Sequence, residues 1–103
     1  MKKRPAAAPR IERVSLRLYV AGRLLNSVRA RENLRQLCDR HLISLDDLEV
    51  VDVLSEPRRA VADEVLVTPT LIRLVPAPRI RVIGDLSDPA TVLAALGVEA
   101  VPP

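Results

Sequence analysis

Residues 67–83 read Val67-Thr-Pro-Thr-Leu-Ile-Arg-Leu-Val-Pro-Ala-Pro-Arg-Ile-Arg-Val-Ile83, and this stretch decides how the rest of the chain is interpreted. Two short runs rich in aliphatic side chains, 70–75 and 79–83, flank the three residues Pro76-Ala77-Pro78. Proline presets backbone angles that suit turns, and short apolar runs bounded by such residues are typical of strands. The stretch therefore predicts an antiparallel β-hairpin.

Upstream of the hairpin, the pattern predicts a parallel β-α-β unit. Residues 14–20 start with alternating apolar and polar side chains and end wholly apolar, as a largely buried strand does. A helix follows, which Asn26 or Ser27 can cap. Residues 48–53 are rich in β-branched side chains and predict a second strand parallel to the first. The inward face of the helix is marked by residues three and four apart, namely Ala30, Leu34, Leu37, Cys38 and His41.

Two further helices complete the pattern. Pro57 suits the first turn of a helix that we expect to end near Leu66. After the hairpin, Asp88 can cap a helix that has Pro89 at its first position and Gly97 as its stop. The predicted order, β-α-β-α-β-β-α, is that of an α/β protein with the thioredoxin-like fold.

Pro69 stands between the second helix and the hairpin, where thioredoxin-like proteins place a cis-proline. We therefore predict a cis bond between Thr68 and Pro69, with Thr70 beginning the next strand. The alternative is a trans proline at the start of an edge strand.

The positive charge of the chain is concentrated at its start. Residues 1–13 hold five basic side chains and one acidic one, a net charge of +4, whereas residues 14–103 hold 11 basic and 12 acidic ones. We predict a flexible basic arm over 1–13, one domain over 14–98 and a short tail over 99–103. A nearly neutral domain with one aromatic residue argues against specific nucleic-acid binding. The sequence holds no membrane-spanning run or signal peptide, so we expect a cytoplasmic protein without membrane contacts.

The residues needed for catalysis are missing from the pattern. Thioredoxin enzymes need a Cys-x-x-Cys motif in the loop before the first helix, but here that loop reads Gly22-Arg-Leu-Leu-Asn26. Cys38 is the only cysteine and His41 the only histidine, so neither disulfide exchange nor a His-Cys metal cluster is expected. The three glycines lie far apart and form no phosphate-binding loop. We expect no enzyme activity, no metal and no cofactor.

Several segments, in order and with similar spacing, resemble the KaiB family of circadian clock proteins over roughly residues 14–98. They are Leu18-Tyr19-Val20-Ala21-Gly22, Asn26-Ser27-Val28-Arg29-Ala30, Val51-Asp52-Val53-Leu54, Pro57, Thr68-Pro69-Thr70-Leu71, Pro76-Ala77-Pro78 and Ile83-Gly84-Asp85-Leu86-Ser87.

The resemblance implies a non-catalytic regulator that binds a KaiC-like hexameric ATPase in its thioredoxin-like form. It implies partner contacts by Arg29 in the first helix and Arg81 in the last strand, together with Gly22 and Asn26. The alternative for the two arginines is that they are solvated surface residues. The resemblance also implies that the C-terminal half can adopt an alternative fold in which the chain self-associates as a dimer or tetramer.

Three departures from the family pattern favour a divergent, non-oscillator member. Glu49 stands where many KaiB proteins carry a lysine used toward further clock partners, the acidic carboxy-terminal extension is missing, and a basic arm precedes residue 14. A second hypothesis is therefore a thioredoxin-like interaction module for a sensor kinase or a stress-response protein.

Overall fold

The computed structural model describes residues 14–97, and its element order is the predicted β-α-β-α-β-β-α. The basic arm predicted for 1–13 and the tail predicted for 99–103 lie outside the described residues. The elements are β1 (Ser15–Val20), α1 (Leu25–Arg40), β2 (Leu48–Asp52), α2 (Pro57–Ala62), β3 (Thr70–Val75), β4 (Ile80–Ile83) and α3 (Pro89–Leu96).

The four strands form one mixed sheet in the order β2-β1-β3-β4. β1 pairs in parallel with β2, and Leu18 lies opposite Val50. β1 pairs antiparallel with β3, which in turn pairs antiparallel with β4 through the predicted hairpin. A parallel β-α-β unit and a β-hairpin thus share one sheet, which confirms the predicted thioredoxin-like α/β class.

The main core lies on the sheet face that α1 and α3 cover. Alternation along β1 turns Leu16, Leu18 and Val20 toward this face, where each is at most 2% exposed. The two helices contribute Ala30, Leu34, Leu37, Cys38, Val92, Leu93 and Leu96, and Val14, Ile43, Leu71 and Leu86 from outside the helices complete the cluster. Aliphatic side chains fill this core without an aromatic ring, and burial of each leucine stabilises the fold by roughly 1.5–3 kcal/mol.

The opposite face of the sheet carries a smaller core under α2. Tyr19, Val51 and Ile72 come from three neighbouring strands and are completely buried. α2 contributes a single buried side chain, Ala60. The covering helix is therefore short, and it adds little apolar surface to the core that it shields.

The start of α1 differs from the sequence prediction. The helix begins at Leu25, neither Asn26 nor Ser27 caps it, and no side-chain hydrogen bond is made at its N-cap, Leu24. Ser27 lies inside the first turn, where its buried hydroxyl oxygen accepts a hydrogen bond from the Ala21 backbone N–H at 3.0 Å. Ser27 therefore ties the helix back to the end of β1 instead of capping it.

The end of α2 also differs, because the helix stops at Ala62 and not near Leu66. Glu64 has a left-handed φ of 57°, its N–H donates to the Val61 carbonyl, and the Val65 N–H donates to the Ala60 carbonyl. This pair of hydrogen bonds is the Schellman motif, which normally uses glycine at the left-handed position. Because residue 64 is a glutamate and not a glycine, the sequence does not indicate that the helix ends at Ala62.

Candidate partner-binding surface

One end of the sheet gathers the loops that hold most of the predicted site residues. Tyr19 of β1 lies opposite Thr70 of β3, which lies opposite Ile83 of β4, so β1 and β4 end where β3 begins. The end of β2 joins them, because the Val53 N–H donates to the Val20 carbonyl at 2.8 Å. We call this region the loop end of the sheet. It is the end at which a thioredoxin-like fold presents the start of its first helix.

Gly22 and Asn26 lie in the connection from β1 into α1 at the loop end. Gly22 has a φ of 55°, and a Cβ added to it would sit 3.2 Å from the Leu54 side chain. Its N–H donates to the Asp52 carboxylate at 3.1 Å, which fixes the loop against the end of β2. Asn26 is exposed in the first turn of α1. Glycine is required at position 22 because a side chain would be strained there and would press on Leu54.

The loop before β3 places Thr68, Pro69 and Thr70 beside this connection. The Thr68–Pro69 peptide bond is cis, as are the bonds that precede Pro76 and Pro78. Pro69 is buried, and its carbonyl accepts a hydrogen bond from the Gly84 N–H at 3.0 Å. The Thr70 hydroxyl donates to the Val67 carbonyl at 2.6 Å. The three residues therefore shape the backbone at the loop end and leave little side-chain surface for a partner.

Exposed apolar side chains surround these loops. Leu24 and Leu25 at the start of α1, Leu54 after β2, and Leu66 and Val67 before the cis-proline are all exposed, with Leu66 at 92%. Single exposed apolar residues are ordinary, but several at one end of a small domain are typical of an interaction surface. The loop end thus has the composition of a protein-binding surface.

An apolar groove continues from the loop end along α1 and the edge strand β2. It has a volume of about 580 Å³, and Leu18, Leu45, Leu48 and Val50 form its base together with Val28. One side carries Arg31, Glu32 and Arg35 of α1 together with Arg23 from the loop before it. The groove is therefore apolar at its base and mainly basic along one rim.

Arg29 and Arg81 are not brought together on one face. Arg29 is exposed on α1, which packs on the face of the sheet that carries Leu18. Arg81 lies opposite Ile72 in the β3–β4 register, and Ile72 belongs to the core on the other face. The Arg81 guanidinium donates to the Glu64 carbonyl at 3.0 Å and also to the Asp63 carbonyl. A single partner that contacts both arginines has to reach around the sheet.

A polar network on the α2 face was missed at the sequence level. Asp63, just after α2, accepts hydrogen bonds from the Tyr19 hydroxyl at 2.6 Å and from Arg17 at 2.8 Å. Arg17 also donates to Glu49 at 3.0 Å, and Glu49 is held in addition by both terminal nitrogens of Arg59. Strand alternation could have placed Arg17 on the Tyr19 face, but the partners 32 and 46 residues away carried no local signal.

The network changes the pKa values of three of its members. Hydrogen bonds from Arg59 and Arg17 lower the pKa of Glu49 to about 2. The Tyr19 hydroxyl, followed by Arg17, lowers the pKa of Asp63. Burial and the neighbouring carboxylate raise the pKa of the Tyr19 phenol. Both carboxylates are therefore ionised and bound at neutral pH, and neither is poised to exchange a proton as a general acid or base does.

Cys38 has none of the properties of a reactive thiol. It is 1% exposed in the main core, and burial raises its pKa to about 11. Only the thiolate is a strong nucleophile, so this side chain is inert at neutral pH. Among residues 14–97, no three His, Cys, Asp or Glu side chains are grouped closely enough to hold a metal ion. Within the same range, no helix has the length and apolar character needed to cross a membrane.

The fold and this surface define a thioredoxin-like α/β domain without the thiol pair of a redox enzyme. The chain superposes on mitochondrial thioredoxin 3 from Saccharomyces cerevisiae with a TM-score of 0.61 and 20% identity, over 82% of this chain and 76% of that one. It superposes on the N-terminal domain of Synechococcus elongatus SasA with a TM-score of 0.60 and 19% identity, over 94% and 88% of the two chains. These similarities establish the thioredoxin-like fold.

The family follows from the sequence comparisons. Residues 17–98 match the KaiB domain model. The chain is 40% identical over 92 residues to circadian clock protein KaiB3 of Synechocystis sp. PCC 6803, which covers 89% of this chain and 88% of that protein. It is 46% identical over 81 residues to the circadian clock oscillator protein KaiB of Synechococcus sp. RCC307. That match covers 79% of this chain and 74% of the relative. The protein belongs to the KaiB family of circadian clock proteins, as its sequence motifs predict.

Proposed function

We propose that this protein is a non-catalytic regulator that binds a KaiC-like hexameric ATPase in circadian or timing control. The observation that carries the proposal is the loop end of the sheet, where exposed leucines surround the start of α1 and no reactive thiol is present. Family membership supports a clock role, and the shape and composition of this surface support protein binding as the means. The only cysteine is buried in the core, which argues against a redox function.

Arg29 is the residue that we propose to contact the ATPase from α1. Its exposed guanidinium can bind a partner carboxylate through two parallel hydrogen bonds, which is a strong and directional arrangement. Asn26 lies one turn before it on the same helix and Gly22 in the loop that leads into the helix, so we propose that the amide of Asn26 and the backbone of the loop contact the same partner. Arg81 reaches the partner from the other face of the sheet in this proposal.

Co-elution with a KaiC-type ATPase in the presence of ATP, followed by light scattering, tests the proposal. We expect the unmodified protein to form a complex with the ring and Arg29→Glu to weaken the complex at least about tenfold. Arg40→Glu is the matched control, because it makes the same charge change at another exposed arginine, at the other end of the same helix and roughly 16 Å away. The control should bind as the unmodified protein does.

Loss of binding in both variants would show a general effect of charge and would remove Arg29 from the site. If the unmodified protein does not co-elute after hours of incubation, the ATPase is not the partner. The search should then turn to sensor kinases and stress-response proteins, which a thioredoxin-like interaction module can also bind.

A further inference from the structure

α2 is held on the sheet by polar contacts at its carboxyl end more than by burial of its side chains. Five of its six residues are half-buried or exposed, and only Ala60 reaches the core. The polar contacts are made by Arg59, which binds Glu49 of β2 and whose carbonyl accepts from the Tyr19 hydroxyl at 3.0 Å, and by the turn of Asp63 and Glu64 just after the helix. An element fixed in this way can separate from the sheet when a few hydrogen bonds are lost.

Asp63 is the centre of that attachment. Its side chain is 11% exposed and binds Arg17 and Tyr19 of β1, while Arg79 from the hairpin turn, directly before β4, approaches it at 3.4 Å. These partners come from two separate parts of the sheet. Charge-assisted hydrogen bonds of this kind are stronger than neutral ones, so this carboxylate is a strong attachment of the end of α2 to β1, beside the one that Arg59 makes with Glu49 of β2.

The same turn occupies Arg81. The two terminal nitrogens of its guanidinium donate to the backbone carbonyls of Asp63 and Glu64. A partner carboxylate that binds this edge of the guanidinium in the two-bond arrangement needs the same nitrogens. Backbone carbonyls are neutral and a carboxylate is charged, so the exchange favours the carboxylate once the turn is free to move.

We propose that α2 and the turn after it, residues 57–66, form an autoinhibitory strap that occupies Arg81, and that Asp63 fastens this strap to the sheet. A partner carboxylate competes with the strap for the Arg81 guanidinium. This inference deepens the proposed function and rests on the role proposed there for Arg81. Asp63 is a positioning residue in this arrangement, because it acts on Arg81 through the turn.

Asp63→Asn tests the fastening without any partner. Asparagine keeps the size of the side chain but removes its charge, so the contacts from Arg17 and Arg79 weaken. We expect amide hydrogen exchange to become about tenfold faster in the strap, with α1 and α3 unchanged. Asp39→Asn is the matched control, because it removes a carboxylate that accepts from Arg35 on α1 at 3.0 Å. Unchanged exchange in the strap of Asp63→Asn would overturn the fastening role.

A tri-glutamate peptide tests the competition for Arg81. We expect the Arg81 side-chain N–H signal of Asp63→Asn to shift at roughly tenfold lower peptide concentration than that of the unmodified protein. Tyr19→Phe, which retains the ring but removes the hydroxyl that donates to Asp63 and to the Arg59 carbonyl, should show the same change to a smaller degree. Equal or weaker peptide binding by both variants would overturn the autoinhibition.

The KaiC-type ATPase distinguishes this inference from the proposed function. If the ATPase binds the unmodified protein, we expect it to bind Asp63→Asn several-fold more tightly. Asp39→Asn should bind as the unmodified protein does. Weaker binding of Asp63→Asn would contradict the strap. If the ATPase binds none of the variants, the proposed function fails, and the peptide and exchange experiments still decide whether the strap exists.

Discussion

At the scale of the residue, the chemistry of this protein is set by which side chains are bound to one another and which are buried alone. Arg17 and Tyr19 each donate a hydrogen bond to Asp63, at 2.8 and 2.6 Å, so these polar groups are used internally. Cys38 is in the opposite situation, because its thiol lies in an aliphatic core without a basic neighbour that would stabilise a thiolate. Both arrangements remove reactive groups from the surface, and leave the exposed arginines and leucines to interact with other molecules.

Cys38 should react with a thiol reagent only after the protein unfolds. Burial raises its pKa to about 11, so at pH 7 to 8 almost none of it is thiolate, and its sulfur is also inaccessible. We expect labelling by a chromogenic disulfide reagent to be slow in buffer and immediate in denaturant. The Cys38→Ser variant is the control, because any signal that it gives does not come from this thiol. Rapid labelling of the native protein would contradict the buried position and would restore thiol chemistry as a function.

At the scale of the element, the ends of the helices separate what the sequence could predict from what it could not. Both ends of α3 were predicted, because Asp88 accepts from the Ala90 N–H at 3.2 Å and Gly97 has a φ of 79°. These signals are local. The start of α1 and the end of α2 depend on a bond from Ala21 to Ser27 and on a left-handed glutamate, and neither has a recognised sequence signature. A side-chain bond back to the end of β1 sets the first boundary, and a backbone conformation that is unusual for glutamate sets the second.

Glu64→Gly should stabilise the protein by about 1 kcal/mol, because it relieves a side chain from the left-handed region. Urea denaturation measures the change in the free energy of unfolding. Glu64→Ala is the control, since it removes the same carboxylate but keeps a Cβ at a φ of 57°. Equal effects of the two substitutions would show that the charge of Glu64, and not its backbone conformation, sets the stability at this turn.

At the scale of the whole molecule, the element order, the parallel β-α-β unit and the hairpin could be predicted, because hydrophobic periodicity and proline positions indicate them. The separation of Arg29 and Arg81 onto two faces required the structure, since it depends on the register of β3 with β4. The same holds for the network around Asp63, which joins residues 44 and 46 positions apart. Self-association through an alternative fold of the C-terminal half stays a prediction.

The molecule should lose stability in acid between about pH 4 and pH 2. The pKa of Glu49 falls to about 2 and that of Asp63 is also lowered in the folded state, while both are higher in the unfolded chain. Such groups stabilise the fold fully above their unfolded pKa values, and that contribution disappears as the pH falls through the folded ones. Thermal unfolding as a function of pH measures the loss.

The variant Glu49→Gln with Asp63→Asn should be less stable at neutral pH and should show a flatter acid profile. Asp46→Asn with Asp47→Asn, in the exposed loop before β2, is the matched control and should keep the profile of the unmodified protein. An unchanged slope in the Glu49 and Asp63 variant would show that other groups govern acid unfolding.

The aliphatic core has a practical consequence for optical spectroscopy. The chain has one tyrosine and neither tryptophan nor phenylalanine, so its near-ultraviolet absorption and emission come from Tyr19. That phenol donates its hydrogen to the Asp63 carboxylate, and a carboxylate acceptor quenches tyrosine emission. The light emitted by the unmodified protein therefore reports on the contacts of this hydroxyl with Asp63 and the Arg59 carbonyl at the end of α2, and a stopped-flow fluorimeter can follow them without an added dye.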